Sequence, residues 1–148
     1  MPATVTLYNN ALKEMAQGTL QFGTTPIKML LAGTTSTYVV SKSHTTRSNF
    51  ISGGGAEPIG AGYTAEGKVV PLNGNSVTVD NVTNSVSITI PNTEWTSSTI
   101  SAKGALLYTN TGSAAADKLI AYCNFDATIS SSASTLSVTF STPIKLQN

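Results

Sequence analysis

The sequence predicts an all-β domain, an antiparallel β-sandwich or jelly roll of about eight strands with one short N-terminal helix. Threonine and serine account for 23 and 18 of the 148 residues. This composition favours strands and turns over helices. Short apolar or alternating runs recur along the second half of the chain, with polar turns between them. No part of the chain shows the repeated helices that a parallel sheet needs, so the strands are expected to pair antiparallel.

The first third of the chain contains one helical pattern and one strand pattern. Asn9 or Asn10 can cap the start of a helix, and Gly18 can end it. Residues 27–32 (IKMLLA) form an apolar run that stops at Gly33. The run is too short for a stable helix and predicts a strand buried on both faces. The helical spacing is carried by Ala11, Leu12, Met15 and Ala16.

The strand signal is clearest after Gly67. Residues 85–90 (SVSITI) alternate strictly between polar and apolar, and residues 80–84 precede them as a hairpin connection. Trp95 follows a polar turn and is expected to cover the sandwich core rather than to lie exposed. The other strand signals lie at residues 69–70, 77–79, 100–108, 119–125, 136–140 and 144–146.

Residues 34–62 show no sustained periodicity and are rich in Thr, Ser and Gly. We expect residues 1–148 to form a single β-sandwich domain in which 34–62 is a long flexible loop. Loops of this length often serve as functional arms that bind a partner. The alternative interpretation of residues 34–62 is a partly packed surface loop. Because an arginine beside apolar anchors is typical of an interface hot spot, Arg47, Phe50 and Ile51 are the candidate partner contacts.

Charge excludes several classes of partner. Eight basic and seven acidic residues give a formal charge of +1, and only 10% of the residues are charged. This balance predicts neither nucleic-acid binding nor attachment to a membrane surface. The chain shows no secretory signal pattern and no apolar run long enough to cross a bilayer, so synthesis in the cytoplasm is expected. Low net charge removes the repulsion that normally prevents association, and therefore favours a homo-oligomer.

The residues that could carry chemistry do not form a recognisable site in the sequence. His44 follows Ser43, but a catalytic pair also needs an orienting acid and an oxyanion hole. Cys123 lies in an apolar run, where an inert buried thiol is usual, and a single cysteine cannot form an internal disulfide. The seven carboxylates are scattered along the chain. We therefore expect no enzymatic activity, no metal site and no cofactor.

Several blocks of the sequence resemble small structural proteins of tailed bacteriophages. The blocks are residues 8–18 (YNNALKEMAQG), 27–31 (IKMLL), 60–68 (GAGYTAEGK), 95–108 (WTSSTISAKGALLY) and 119–126 (LIAYCNFD). The last three blocks occur in that family's order and approximate spacing, the first two are similar to its start, and together the blocks span most of the chain. None of the blocks is a chemical signature.

The resemblance implies a virion component without enzymatic activity, of the kind described as a capsid decoration or head protein. The leading hypothesis is a capsid cement protein that lies on the capsid surface and binds the major capsid protein and neighbouring copies of itself. A tail adaptor or fibre-associated protein is the alternative within the virion. A carbohydrate-binding module that uses Trp95 and the tyrosines as a sugar-stacking platform is the alternative from another class.

Overall fold

The structure is a computed structural model that describes residues 4–147, except for the side chain of Asn75. It confirms the all-β prediction, since 41% of the residues are in strands and 11% are helical. The helices are α1 (Asn9–Ala16) and α2 (Arg47–Ser52), with a 3₁₀ turn at Gly74–Ser76. The strands are β1 (Thr4–Leu7), β2 (Ile27–Gly33), β3 (Lys68–Val69), β4 (Val77–Asp80), β5 (Ser85–Ile88), β6 (Thr93–Ser98), β7 (Ser101–Thr109), β8 (Leu119–Ser130), β9 (Ser134–Val138) and β10 (Ile144–Gln147).

The described strands form three antiparallel sheets. The largest has the order β1-β8-β7-β2-β3, the second has the order β10-β5-β4, and the third pairs β6 with β9. The hairpin predicted at residues 80–84 is confirmed, because β4 pairs with β5 through a turn at that point. The count exceeds the expected eight strands because β1 alternates only weakly and β6 follows a proline-containing turn, so neither gave a firm signal.

One face of the five-stranded sheet packs against the two smaller sheets. We call this cluster the inter-sheet core; it is the layer that a β-sandwich predicts. Trp95 on β6 lies opposite Leu136 on β9, and both are buried in it. The five-stranded sheet and the three-stranded sheet contribute the residues Ile27, Met29, Leu31, Ala105, Leu107, Ala121, Cys123, Ile88 and Ile144.

The other face of the five-stranded sheet is covered by residues 34–56, which we call the covering segment. Tyr38 and Phe50 of this segment are buried together with Leu30, Leu106 and Tyr108 of the sheet. The segment also contains α2. Residues 34–62 were expected to be a long flexible loop or a partly packed surface loop; within 34–56, burial of the aromatic side chains stabilises a packed segment although its sequence shows no periodicity.

The two-sided burial explains why the central strands are apolar almost throughout. Residues of β2 alternate between the two cores, with Met29 and Leu31 in the inter-sheet core and Leu30 and Ala32 beneath the covering segment. Continuous apolar strands are more typical of parallel sheets, whose two faces are both covered by helices. Here the covering segment replaces such helices. The prediction that residues 27–32 form a strand buried on both faces is confirmed.

Helix α1 begins and ends close to the predicted positions. It spans Asn9–Ala16, and Gly18 follows its last turn as predicted. Tyr8 occupies the N-cap position, and no side chain caps the helix there, so the predicted asparagine cap is wrong. Ala11 is buried, whereas Leu12 is exposed. The apolar face of the helix is therefore only partly used within the fold.

Substitution of Gly67 tests how closely the turn before β3 approaches β2. Gly67 has φ +73°, and an added Cβ would overlap the carbonyl oxygen of Met29. Gly112 has a comparable φ of +86° but nothing within 4 Å. We expect Gly67→Ala to lower the free energy of unfolding by about 2 kcal/mol and Gly112→Ala by only about 1 kcal/mol, the cost of backbone strain alone. Urea unfolding of both variants would measure this, and equal losses would contradict the close approach.

Candidate interaction surface

The three residues that the sequence nominated as partner contacts lie on α2, and two of them face inward. Arg47 is 6% exposed and Phe50 is 2% exposed, whereas Ile51 is 52% exposed. The ring of Phe50 packs against that of Tyr38, with centroids 4.9 Å apart. Contrary to expectation, Arg47 and Phe50 do not present an exposed patch, because both hold the covering segment on the sheet. Contact with a partner through Ile51 stays a prediction.

Arg47 forms a buried ion pair with Asp117, which lies just before β8. The guanidinium Nε donates to Asp117 Oδ2 at 2.8 Å, and the guanidinium lies 5.2 Å above the ring centroid of Tyr108. The other carboxylate oxygen accepts the backbone N–H and the hydroxyl of Thr111, both at 2.7 Å. Burial alone would raise the pKa of Asp117, but the hydrogen bonds from Thr111 and Arg47 outweigh it and lower the pKa.

The hydrogen-bond network continues from Arg47 into the loop before β3. Arg47 also donates to Glu66 Oε1 at 2.9 Å. Glu57 Oε2 accepts the backbone N–H of Glu66 at 2.8 Å and the Tyr63 hydroxyl at 2.5 Å. That hydroxyl in turn accepts the backbone N–H of Leu31 at 3.1 Å. These ionisable groups are therefore used to fix the covering segment and the loop that follows it onto β2.

The buried phenols and the thiol predict loss of stability at alkaline pH. Burial raises the pKa of Tyr122 to about 12 and that of Cys123 to about 11, from ordinary values of 10.0 and 9.0. Their neutral forms are thus favoured in the folded state. The stability that they contribute is complete below about pH 9 and is lost as the pH rises through the folded values. Urea unfolding between about pH 7 and pH 11 should show this decline, and Cys123→Ala should delay its onset; a flat profile would contradict it.

Ser43 and His44 do not form the pair that their adjacency allowed. The Nδ1 atom of His44 lies 2.8 Å from the Tyr38 hydroxyl, which lies 2.9 Å from the hydroxyl of Tyr8. The Ser43 hydroxyl instead contacts that of Ser41 at 2.8 Å. His44 thus belongs to a chain of hydrogen bonds that joins the covering segment to the start of α1. Across residues 4–147, no three His, Cys, Asp or Glu side chains come together as they do around a metal ion.

Trp95 and four of the five tyrosines are buried, and Tyr63 is half-buried. Trp95 is 0% exposed and stacks on Tyr63 with ring centroids 6.1 Å apart, so the interpretation of Trp95 as a core residue is confirmed. Tyr8, Tyr38, Tyr108 and Tyr122 are also buried. A sugar-stacking platform needs an exposed aromatic face. The aromatic residues on which the carbohydrate-binding hypothesis depended therefore do not present such a face.

The surface also carries nine exposed large apolar side chains among the described residues. Three of them, Val77, Val79 and Val82, lie on the hairpin of β4 and β5. The others are Val5, Leu12, Val39, Ile51, Ile59 and Val69. Exposed apolar residues that occur singly need no explanation, but those that line a concavity mark a potential binding surface.

Val5 and Leu12 line such a concavity, which we call the lateral groove. It has a volume of about 900 Å³ and runs between β1 and the start of α1 on one side and β10 on the other. Its lining consists of Thr4, Val5, Thr6, Leu7, Asn9, Leu12, Lys42, Thr142, Pro143, Ile144, Lys145, Leu146 and Gln147. No residue nominated from the sequence lies in it, because its two walls come from opposite ends of the chain.

The strand register shows that the lateral groove is the open side of the sandwich. Val5 lies opposite Cys123 in the β1–β8 ladder, and Cys123 belongs to the inter-sheet core. Ile144 lies opposite Ile88 in the β10–β5 ladder, and Ile88 belongs to the same core. Because paired residues share a face of their sheet, Val5 and Ile144 both face the layer between the sheets. The groove is thus a lateral continuation of the core that reaches solvent.

Both walls of the lateral groove are edge strands. Among the described strands, β1 pairs only with β8 and β10 pairs only with β5. Their outward N–H and C=O groups are therefore not used in a ladder. Natural proteins usually protect such edges with charges, prolines or a covering element, because an open edge is a template for pairing with another chain.

Comparison of the chain with protein-family models, curated proteins and solved structures found no match. Within the described residues, neither helix has the length and apolar character needed to span a lipid bilayer.

Proposed function

We propose that this chain is a structural component of a tailed-bacteriophage virion, a capsid cement or decoration protein that binds the major capsid shell and neighbouring copies of itself. The sequence resemblance described above supports the assignment to a virion. The lateral groove is the observation that supports a binding role, because it joins an apolar lining to two edge strands, each of which has one side that pairs with no other described strand.

The polar surface is suited to a permanent place in an assembly. Only 10% of the residues are charged, and the ion pair of Arg47 with Asp117 is buried within the fold. Threonine and serine hydroxyls can hydrogen-bond to a neighbouring subunit without the large desolvation cost of burying a charge. Many weak contacts of this kind, repeated over a lattice, hold a cement protein in place without a site of high charge.

The first test is the copy number of the chain relative to the major capsid protein in purified virions, measured by quantitative mass spectrometry. A cement protein is expected in numbers comparable to those of the shell protein. A handful of copies per particle would overturn the capsid assignment and indicate the tail, and complete absence from the particle would overturn the virion assignment.

A second test measures the stabilisation itself. Virions that lack the chain are expected to release their DNA at a lower temperature than complete virions, and added protein should restore the original temperature. Thermal release of DNA can be followed with an intercalating dye. An unchanged release temperature in the depleted particles would contradict a cementing role even if the protein were abundant.

A further inference from the structure

We propose that the lateral groove binds one extended segment of another protein, which adds a strand to an open sheet edge and inserts alternate apolar side chains between the two sheets. The segment carries carboxylates at its flanks. This inference deepens the proposed function, and rests on it for the claim that the groove is used in an assembly.

The partner segment is inferred to be extended because both walls of the groove are edge strands. β1 and β10 are each four residues long, which corresponds to about 13 Å of strand. Each lines the groove and has one edge that pairs with no other described strand. Addition of a strand satisfies a row of main-chain donors and acceptors at once, whereas a helix satisfies its own and would leave those of the edge unpaired.

The partner segment is inferred to carry an apolar residue at every second position because the apolar side chains of the groove walls alternate in the same way. Val5 and Leu7 on β1, and Ile144 and Leu146 on β10, occupy alternate positions that face the inter-sheet layer. Val5 is 39% exposed, and Leu7 and Leu146 are half-buried. Because successive side chains of a strand point to opposite faces, every second residue of an added strand would fill the opening between these residues.

The partner segment is inferred to carry carboxylates at its flanks because the charged residues at the groove are lysines. Lys42 and Lys145 are among the lining residues of the groove, and both are exposed. Lys145 alternates with the inward-facing Ile144 and Leu146 and therefore lies at the rim. No acidic residue is among the described residues of the lining. A segment with aspartate or glutamate at its ends would complement the two ammonium groups, whereas a basic segment would be repelled. The rest of the lining is apolar or carries hydroxyl and amide groups.

The experiment measures binding of a synthetic peptide with blocked ends, ETVTITVTE, labelled with a fluorophore, to the full chain by fluorescence anisotropy. The control peptide ETTVIVTTE has the same composition, but its apolar residues are consecutive and cannot all face one side of a strand. We expect the alternating peptide to bind with a Kd of about 10–100 µM and the control peptide to bind at least about tenfold more weakly.

Two substitutions in the protein distinguish binding at the lateral groove from binding elsewhere on the surface. Val5→Asp places a negative charge in the opening, which opposes insertion of apolar side chains and repels the peptide carboxylates, and should weaken binding of the alternating peptide by at least about tenfold. Val82→Asp makes the same change at a residue that is 93% exposed on the β4–β5 turn, and should leave binding unchanged. Should Val5→Asp fail to fold, the double variant Lys42→Glu/Lys145→Glu provides the same test, since both lysines are exposed and reversal of their charge should repel the peptide.

Several results would overturn the proposal. They are the absence of saturation up to about 1 mM peptide, equal affinity for the two peptides, or equal sensitivity to Val5→Asp and Val82→Asp. Sedimentation of the protein alone supplies the remaining check. A dimer that Val5→Asp dissociates would show that the groove is occupied by a second copy instead. A failure of any of these tests leaves the copy number in virions unaffected, so the two proposals are tested separately.

Discussion

Replacement of Trp95 by alanine is expected to lower the free energy of unfolding by about 3–5 kcal/mol, a large part of the total stability of a domain of this size. Trp95 is fully buried at the contact of β6 with β9 and stacks on Tyr63. Its removal would leave a cavity in the inter-sheet core that the two-stranded sheet is too small to close. Equilibrium unfolding in urea, followed by circular dichroism, measures the loss.

A matched variant separates packing from hydrogen bonding at this position. The Trp95 indole N–H has no hydrogen-bond partner among the described residues, so Trp95→Phe keeps an aromatic ring and forfeits no described hydrogen bond. We expect Trp95→Phe to cost clearly less than the alanine variant, and Val82→Ala on the exposed turn to cost less than about 0.5 kcal/mol. If Trp95→Ala unfolded at the same urea concentration as the parent protein, the position of Trp95 in the core would be refuted.

Replacement of Arg47 by methionine is expected to cost about 3–5 kcal/mol, because it leaves the carboxylate of Asp117 buried without its counter-ion. The Asp117 side chain is 0% exposed in the folded chain. Loss of the guanidinium also removes the hydrogen bond to Glu66 and the contact with the ring of Tyr108. Thermal unfolding at neutral pH measures the cost, and Lys13→Met on the exposed side of α1 is the control, with an expected change of less than about 0.5 kcal/mol.

The pH dependence of the Arg47→Met variant tests the electrostatic cause. In the parent protein the pKa of Asp117 is lowered, so its contribution to stability is complete above the unfolded pKa of about 4 and is lost as the pH falls through the folded value. In the variant, protonation of Asp117 relieves the buried charge instead. The difference between the two proteins should therefore shrink in acid; a difference independent of pH would assign the loss to packing alone.

Local pattern was sufficient for the elements whose burial is regular. Residues 86–90 alternate strictly, and the structure places Ile88 and Ile90 in the inter-sheet core. The continuous apolar run at residues 27–32 predicted a strand covered on both faces, and β2 is such a strand. In both cases the apolar residues of one segment are those that its neighbours bury. A short window of sequence is therefore enough to predict the strand and its buried face.

The packing of the covering segment on the sheet was not predicted, because its buried residues do not recur at a regular spacing. Tyr38 and Phe50 are twelve positions apart and are separated mainly by polar residues, and α2 is only six residues long. One local signal was present, since Thr46 followed three residues later by Asn49 is typical of a helix start. The Asn49 side chain indeed accepts the backbone N–H of Thr46 at 3.0 Å.

The sequence by itself determined the all-β class, the burial of Trp95, the hairpin at residues 80–84 and the low charge that favours association. The tertiary structure alone decided that Arg47 lies inside the fold, because its partner Asp117 is 70 residues away along the chain. It also decided the position of the lateral groove, whose walls β1 and β10 come from opposite ends of the sequence. Periodicity records which face of its own segment a side chain occupies, whereas the chain topology determines which segments meet.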